Sequence, residues 1–254
     1  MSAFSSILNS VFLKNDFADV MNKKKYRHEF KYFAPEYILA ELEKRCEVVL
    51  KRDSHTGSSG FYNIKSLYFD DFANTCYYEN ENGTDPREKF RIRIYNNSTS
   101  RITLELKQKK QGMTLKTSTP IAFERLQAII HGGKLDVKNE DSFLYKKFYE
   151  HMLSRNLRPV TIVVYDRVPF VYKEGNVRVT FDRNIRSGND FSKFFDAYLP
   201  VRPVLPADTN LLEVKFDEFL PDYIYEILQT GRLSQTSFSK YYLCRKFNMK
   251  GTIK

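Results

Sequence analysis

Tryptophan is absent from this 254-residue chain, and cysteine, proline and glycine are sparse, at 3, 9 and 10 residues. The cysteines Cys46, Cys76 and Cys244 are odd in number and far apart, which excludes a disulfide framework and any zinc-type spacing. A reducing, cytoplasmic setting is therefore expected. No apolar run approaches the roughly 20 residues that span a bilayer, so no transmembrane segment is expected. The first 21 residues lack the charged start and apolar stretch of a secretion signal. No Pro/Gly-rich linker divides the chain, and no repeat of solenoid length is visible. One domain over residues 24–254 is expected, preceded by a segment 1–23 in which Phe4, Ile7, Leu8, Val11 and Phe12 recur at helical spacing. That segment reads as an amphipathic helix on the body, with docking to a partner or membrane as the other reading. His28, His55, His131 and His151 do not cluster, and each reads as surface or core.

What the chain has in excess is positive charge and non-indole aromatics. Lys and Arg number 41 against 31 Asp and Glu, a formal net charge of +10, and there are 21 Phe and 17 Tyr. Such a balance points to polyphosphates, nucleic acid or an anionic membrane surface, and its sign alone does not choose among them. The run Lys23-Lys24-Lys25 reads as a solvated edge.

The position of the charges says more. Glu29-Phe30-Lys31, Arg91-Ile92-Arg93, Glu105-Leu106-Lys107 and Glu213-Val214-Lys215 repeat one pattern, with Arg178-Val179-Thr180-Phe181-Asp182 as a looser copy. On a strand, residues i and i+2 share a face, so each copy aims charge one way and apolar side chains the other. A single charged strand face is usually just solvated. Here the charged positions favour Arg, Lys and Glu over Thr, Ser and Gln, and the opposite faces (Ile92 and Ile94, Leu104 and Leu106, Val214 and Phe216) need cover. The spacing predicts helices to supply it: Pro35 to about 50, a short helix ending near Asn82-Gly83, Pro120–Ile130, Ser142–Arg155, one opened by Pro221, and one over 236–247 capped from Gln235-Thr236-Ser237. Hairpins are expected for 88–96 with 101–110 and for 159–172 with 177–185, beside strands 26–33, 64–69, 113–118 and 210–218. The expected fold class is thus α+β, an antiparallel β-barrel or tunnel with a charged lumen and helices outside. A small barrel lined by charge must hold water or ligand, and its excess positive charge is best balanced by a polyanion.

Five segments, Tyr26–Tyr32, Ser66–Asp70, Lys89–Tyr95, Leu104–Lys107 and Leu212–Lys215, resemble in order and spacing the catalytic domain of the vacuolar transporter chaperone (VTC) family, over about residues 24–247. These are polyphosphate polymerases of the triphosphate tunnel metalloenzyme (CYTH-like) superfamily. The resemblance implies an enzyme that moves the terminal phosphoryl group of ATP onto inorganic polyphosphate, with Mn²⁺ or Mg²⁺ as cofactor. It implies Lys31, Arg91, Arg93, Lys107, Arg167, Arg178, Lys215 and Lys240 as phosphate-binding catalytic residues, with Tyr165, Ser239 and Lys116 beside the substrate. Glu213 resembles the family's metal-binding glutamate. Glu29 and Glu105 are either further ligands or salt-bridge partners of the basic residues. Arg27 stands where hydrolase and cyclase branches carry a further Glu, which favours the polymerase branch. A metal-dependent inorganic triphosphatase and a non-catalytic polyanion or RNA binder are the alternatives. No RNA-binding motif appears, so nucleic acid is not expected as a partner. The family's accessory phosphate-binding and membrane domains have no counterpart in these residues, and coupling to transport would need a membrane-protein partner. Oligomeric state is not written in the sequence.

Overall fold

A computed structural model describes residues 25–229 and 233–250. The expected helix within residues 1–23 lies outside them. The strands are β1 (His28–Ala34), β2 (Lys51–Arg52), β3 (Tyr62–Asp70), β4 (Arg87–Tyr95), β5 (Thr103–Lys110), β6 (Met113–Pro120), β7 (Arg158–Tyr172), β8 (Val177–Gly188), β9 (Arg202–Pro203) and β10 (Asn210–Phe216). The helices are α1 (Glu36–Val49), α2 (Thr75–Glu81), α3 (Phe123–His131), α4 (Phe143–Ser154), α5 (Asp222–Leu228) and α6 (Lys240–Lys250).

The strands form one antiparallel sheet in the order β1-β10-β8-β7-β3-β4-β5-β6, with β2 added to β7 and β9 to β8. The sheet curls until its edges meet. Arg27 and Thr114 exchange backbone N–H···O bonds of 2.9 Å in both directions, joining the β1 and β6 ends. Tight turns make the hairpins possible. Asn96 and Asn97 adopt left-handed φ of 50° and 57° between β4 and β5, a region Asn tolerates. Gly175, at φ 68°, turns β7 into β8, and a Cβ there would lie 2.6 Å from the Phe219 carbonyl oxygen, so only glycine fits.

Alternation then sorts the side chains. Ile92, Ile94, Leu104 and Leu106 point outward from β4 and β5 and are sealed by Leu126, Leu144 and Phe148 of α3 and α4. Val179, Phe181, Leu212 and Val214 point outward from β8 and β10 under Leu39 and Leu42 of α1 and Ile224 of α5. Full burial of each such side chain contributes about 1.5–3 kcal/mol, so these two layers hold the curl in place.

Two helix starts differ from expectation. Pro120 ends β6, and α3 begins at Phe123, because residues 117–120 pair with Thr103–Leu106 of β5. The last helix starts at Lys240, not near 236. Gln235 instead bridges to Tyr32, and the Thr236 amide donates to the Lys31 carbonyl at 2.8 Å, so this stretch is strapped to β1. Ser239 takes the capping role, its Oγ accepting from the Tyr242 amide at 3.3 Å. The strap carries α6 onto the concave side of the sheet, where Ser187 and Thr161 of β8 and β7 bond to Asn248 at 3.1 Å each. The other long helices, α1, α3 and α4, lie outside, as expected.

Candidate functional site

Cross-strand register builds the floor of the lumen. Glu29 faces Lys215 and Lys31 faces Glu213 across β1 and β10, so each carboxylate has one lysine opposite and another two residues along. Lys31 Nζ sits 3.2 Å from Glu29 and 3.8 Å from Glu213, and Lys215 Nζ sits 3.3 Å from Glu213. From β5, Lys107 Nζ donates to both Glu29 oxygens at 2.9 and 2.6 Å, and Thr114 of β6 adds a bond of 3.0 Å. Burial pushes the Glu29 carboxyl up, but Lys107, Lys31 and Lys215 together hold it well below the usual carboxylate range. Glu213 is also held low, burial being outweighed chiefly by Lys215. Lys215 is pushed down to about 7 by burial first and by Arg167 and Lys107, against the pull of Glu213 and Glu29.

The facing wall is arginine-rich. Arg91 on β4 binds Glu105 through Nε at 2.7 Å and Nη2 at 2.6 Å, and its Nη1 donates to the Tyr68 hydroxyl at 2.9 Å. Arg93 is held by neutral groups, Ser66 Oγ and the Tyr165 hydroxyl, both at 3.1 Å. Arg167 on β7 binds Asp182 bidentately at 2.6 and 2.7 Å and reaches Glu213 at 3.1 Å. Lys240, at the start of α6, meets the same Asp182 at 2.7 Å. Arg178 donates to Asp53 at 2.6 Å and to the Tyr62 hydroxyl at 2.8 Å. Fixed this way, the cations lose little conformational freedom when an anion arrives.

Every basic residue expected to be catalytic lines one cavity of about 200 Å³, together with Lys116, Tyr165, Ser239, Glu29 and Glu213. Glu105 is the exception among the expected site residues. It is 2% exposed, and its two oxygens are taken by Arg91 and by Lys116, the latter at 3.0 Å, so it braces the wall from behind.

Several lining residues were not singled out from the sequence. Lys89 and Tyr95 lie two positions either side of the Arg91–Arg93 pair, so strict alternation alone places them on the same face. Lys89 has no carboxylate partner among the described residues; its Nζ bonds to Asn80 and Ser239 at 3.3 Å and lies over the Tyr241 ring. Burial and then the charge of Lys107 push it well below the usual lysine range. Tyr62 and Tyr68 sit on β3, which is buried on both faces and carries Asn63, Lys65 and Ser66 among its apolar residues, so no face stands out in the sequence. Asp182 was noticed only as the end of the loosest charge repeat, yet it anchors both Arg167 and Lys240.

Two lining carboxylates could hold a divalent cation alongside phosphate oxygens. No cluster of three or more His, Cys, Asp or Glu that could ligate a metal occurs among the described residues. Glu29 and Glu213 are nonetheless neighbouring, ionised and turned to the cavity. Mg²⁺ and Mn²⁺ bind phosphate sites through one or two carboxylates, with phosphate oxygens and water completing the shell, which this pair fits. Among the described residues no helix is long and apolar enough to cross a membrane.

Comparisons with solved structures agree on the architecture. A candidate adenylate cyclase from Bacillus halodurans superposes with a TM-score of 0.50 at 14% identity, over 85% of this chain and 95% of that one. A Hippeastrum protein described as an adenylyl cyclase with a dominant triphosphatase activity superposes with a TM-score of 0.51 at 12% identity, over 87% and 96%. At these identities they share the fold. A search of curated proteins gave no match. The model of the VTC domain matches residues 26–248, from the strand carrying Glu29 and Lys31 to the helix that follows Ser239. With its tunnel and nearly all of the described residues inside that match, this chain belongs to the VTC domain family.

Proposed function

We propose that the protein is a polyphosphate polymerase that transfers the γ-phosphoryl group of ATP to the end of an inorganic polyphosphate chain. The observation that carries this reading is the convergence of Lys and Arg from β1, β4, β5, β7, β8 and β10 on one cavity whose only lining carboxylates, among the described residues, are Glu29 and Glu213. That surplus of positive charge is matched by a linear polyanion. A cytoplasmic setting and a membrane-protein partner are part of the same proposal.

Phosphoryl transfer asks for alignment and charge stabilisation more than covalent help. Arg91 and Arg93, on one face of β4 and about 7 Å apart, would fork onto different phosphates. Lys31, Lys107 and Lys215 act as point charges on the opposite floor. A terminal phosphate oxygen of the acceptor chain, already ionised, attacks the γ-phosphorus as the bond to the β-bridging oxygen breaks and ADP leaves with that electron pair. No general base is needed. Mn²⁺ or Mg²⁺, held by Glu213 with Glu29, would supply neutralisation of the phosphate oxygens. Arg167 and Lys240, tied to Asp182, keep their charges aimed at the chain.

The test is the product formed from ATP and Mn²⁺. A ladder of polyphosphate lengths on a gel is expected; free phosphate alone would replace this reading with a triphosphatase. Tight RNA binding that survives Arg93→Ala would favour a non-catalytic binder.

A further inference from the structure

The phenols of the lumen wall repeat one arrangement. Tyr68 accepts from Arg91 Nη1 at 2.9 Å, Tyr165 from Arg93 Nη2 at 3.1 Å, and Tyr62 from Arg178 Nη2 at 2.8 Å. A guanidinium has donors only, so in each pair it occupies a phenol lone pair and leaves the O–H hydrogen to be placed elsewhere. Tyr62, Tyr68 and Tyr165 are 4%, 6% and 2% exposed, and all three line the cavity. Among the described residues, none of these phenols donates a hydrogen bond to a protein acceptor. A buried hydroxyl without an acceptor is costly, and such groups in native folds have a reason.

The cavity offers them few acceptors of its own. Both of its lining carboxylates are engaged by lysines, Glu29 by Lys107 and Lys31, and Glu213 by Lys215 and Arg167. An incoming anion rich in oxygen lone pairs is what this set of O–H groups lacks. We propose that Tyr62 and Tyr68, with Tyr165, are substrate-binding residues whose phenols, each held by its own arginine, donate hydrogen bonds to successive phosphate oxygens of a linear polyphosphate. Each arginine–tyrosine pair then presents a charged and a neutral donor to the same phosphate. At Tyr62, burial outweighs the pull of Arg167 and Arg178 and leaves the phenol above its ordinary value. At Tyr68, burial raises the phenol's pKa, and Arg91 and Arg93 more than offset it, leaving it below the ordinary tyrosine value.

This inference rests on the reading of the cavity as a polyphosphate site, and one calorimetric experiment separates the two. Tripolyphosphate is titrated, without metal and at mildly acidic pH, into the wild-type chain, Tyr68→Phe, Tyr62→Phe, and protein carrying 3-fluorotyrosine at position 68. The expected result is an affinity loss of about tenfold in each Phe variant. The fluorinated phenol, a stronger donor and weaker acceptor of the same shape, is expected to bind more tightly than wild type. If the phenols only brace the arginines, fluorination weakens binding instead, and the inference is overturned; unchanged affinity in all variants overturns it as well. Failure of the wild type to bind tripolyphosphate would sink the polyphosphate reading itself.

Discussion

The concave face of the sheet has two halves that the same alternation of side chains builds in opposite ways. On β1, β4, β5 and the end of β10, the inward positions carry Glu29, Lys31, Arg91, Arg93, Lys107 and Lys215. On the stretches of β3, β7, β8 and β10 that face α6 they carry Ile64, Val163, Ile185 and Leu211, capped by Tyr241 and Cys244, while Tyr62, Tyr68, Tyr165 and Arg167 of the same strands still line the charged cavity. The difference is what lies above them. Where a helix covers the sheet, burial favours apolar packing; where none does, the lumen keeps charge and pairs most of it internally, leaving positive charge in excess. The boundary runs through the first residues of α6. Tyr241 donates to the fully buried Asp70 at 2.5 Å, Asp70 also accepts from the amides of Cys76 and Tyr77 at 2.9 and 3.1 Å, and Lys240 reaches into the charged half.

If the halves are functionally distinct, substitutions in each should move different observables. The largest effect is expected in the charged half. Arg93→Ala should lower ATP turnover by about 10³-fold, the scale of losing a preorganised charge donor. Its unfolding midpoint should barely move, because Arg93 bonds to hydroxyls and leaves no carboxylate unpaired. A large fall in stability with full specific activity would merge the two halves. Leu211→Ala, in the fully buried apolar half, should cost about 3 kcal/mol in urea unfolding while the folded fraction keeps its tripolyphosphate affinity. Loss of affinity without loss of stability would refute the division. Glu213→Ala should leave a residual rate that no longer rises with added Mn²⁺, and unchanged Mn²⁺ activation would remove its proposed metal role.

The smallest effect concerns Lys89. Its folded-state pKa is lowered by burial and Lys107, so in the empty protein it loses its charge at a lower pH than a free lysine. A polyanion restores the charged form, so binding takes up a proton and affinity falls as pH rises above that lowered value, by up to about tenfold per unit of pKa restored. Calorimetry in buffers of different ionisation heat reads the proton directly. The uptake should shrink in Lys89→Gln, and equal uptake in both would assign it elsewhere.

Much of this was legible in the sequence because a strand's period of two writes the lumen in plain alternation. The hairpins around Asn96-Asn97 and Glu174-Gly175-Asn176, and the inward facing of Arg91, Lys107 and Glu213, follow from local pattern and turn chemistry. The apolar half was not legible, since β3 is buried on both faces and mixes polar and apolar residues on each: Leu67 and Phe69 share the outward face with Lys65, and Ile64 shares the inward face with Ser66. Nor could Gln235-Thr236-Ser237 be told from a helix cap, because their hydroxyls and amides suit a cap as well as the bond they make to β1. Glu105 shows a further limit: pattern placed it on the lumen face, but only coordinates reveal that Arg91 and Lys116 consume both its oxygens.

Crystals soaked with tripolyphosphate and Mn²⁺ test the central claim most directly. The account predicts phosphate density threaded through the charged half, within hydrogen-bonding distance of Arg91, Arg93 and Lys107, with the metal against Glu213. Phosphate bound on the outer surface, with those side chains still held by Glu105, Tyr68, Ser66, Tyr165 and Glu29 alone, would contradict it.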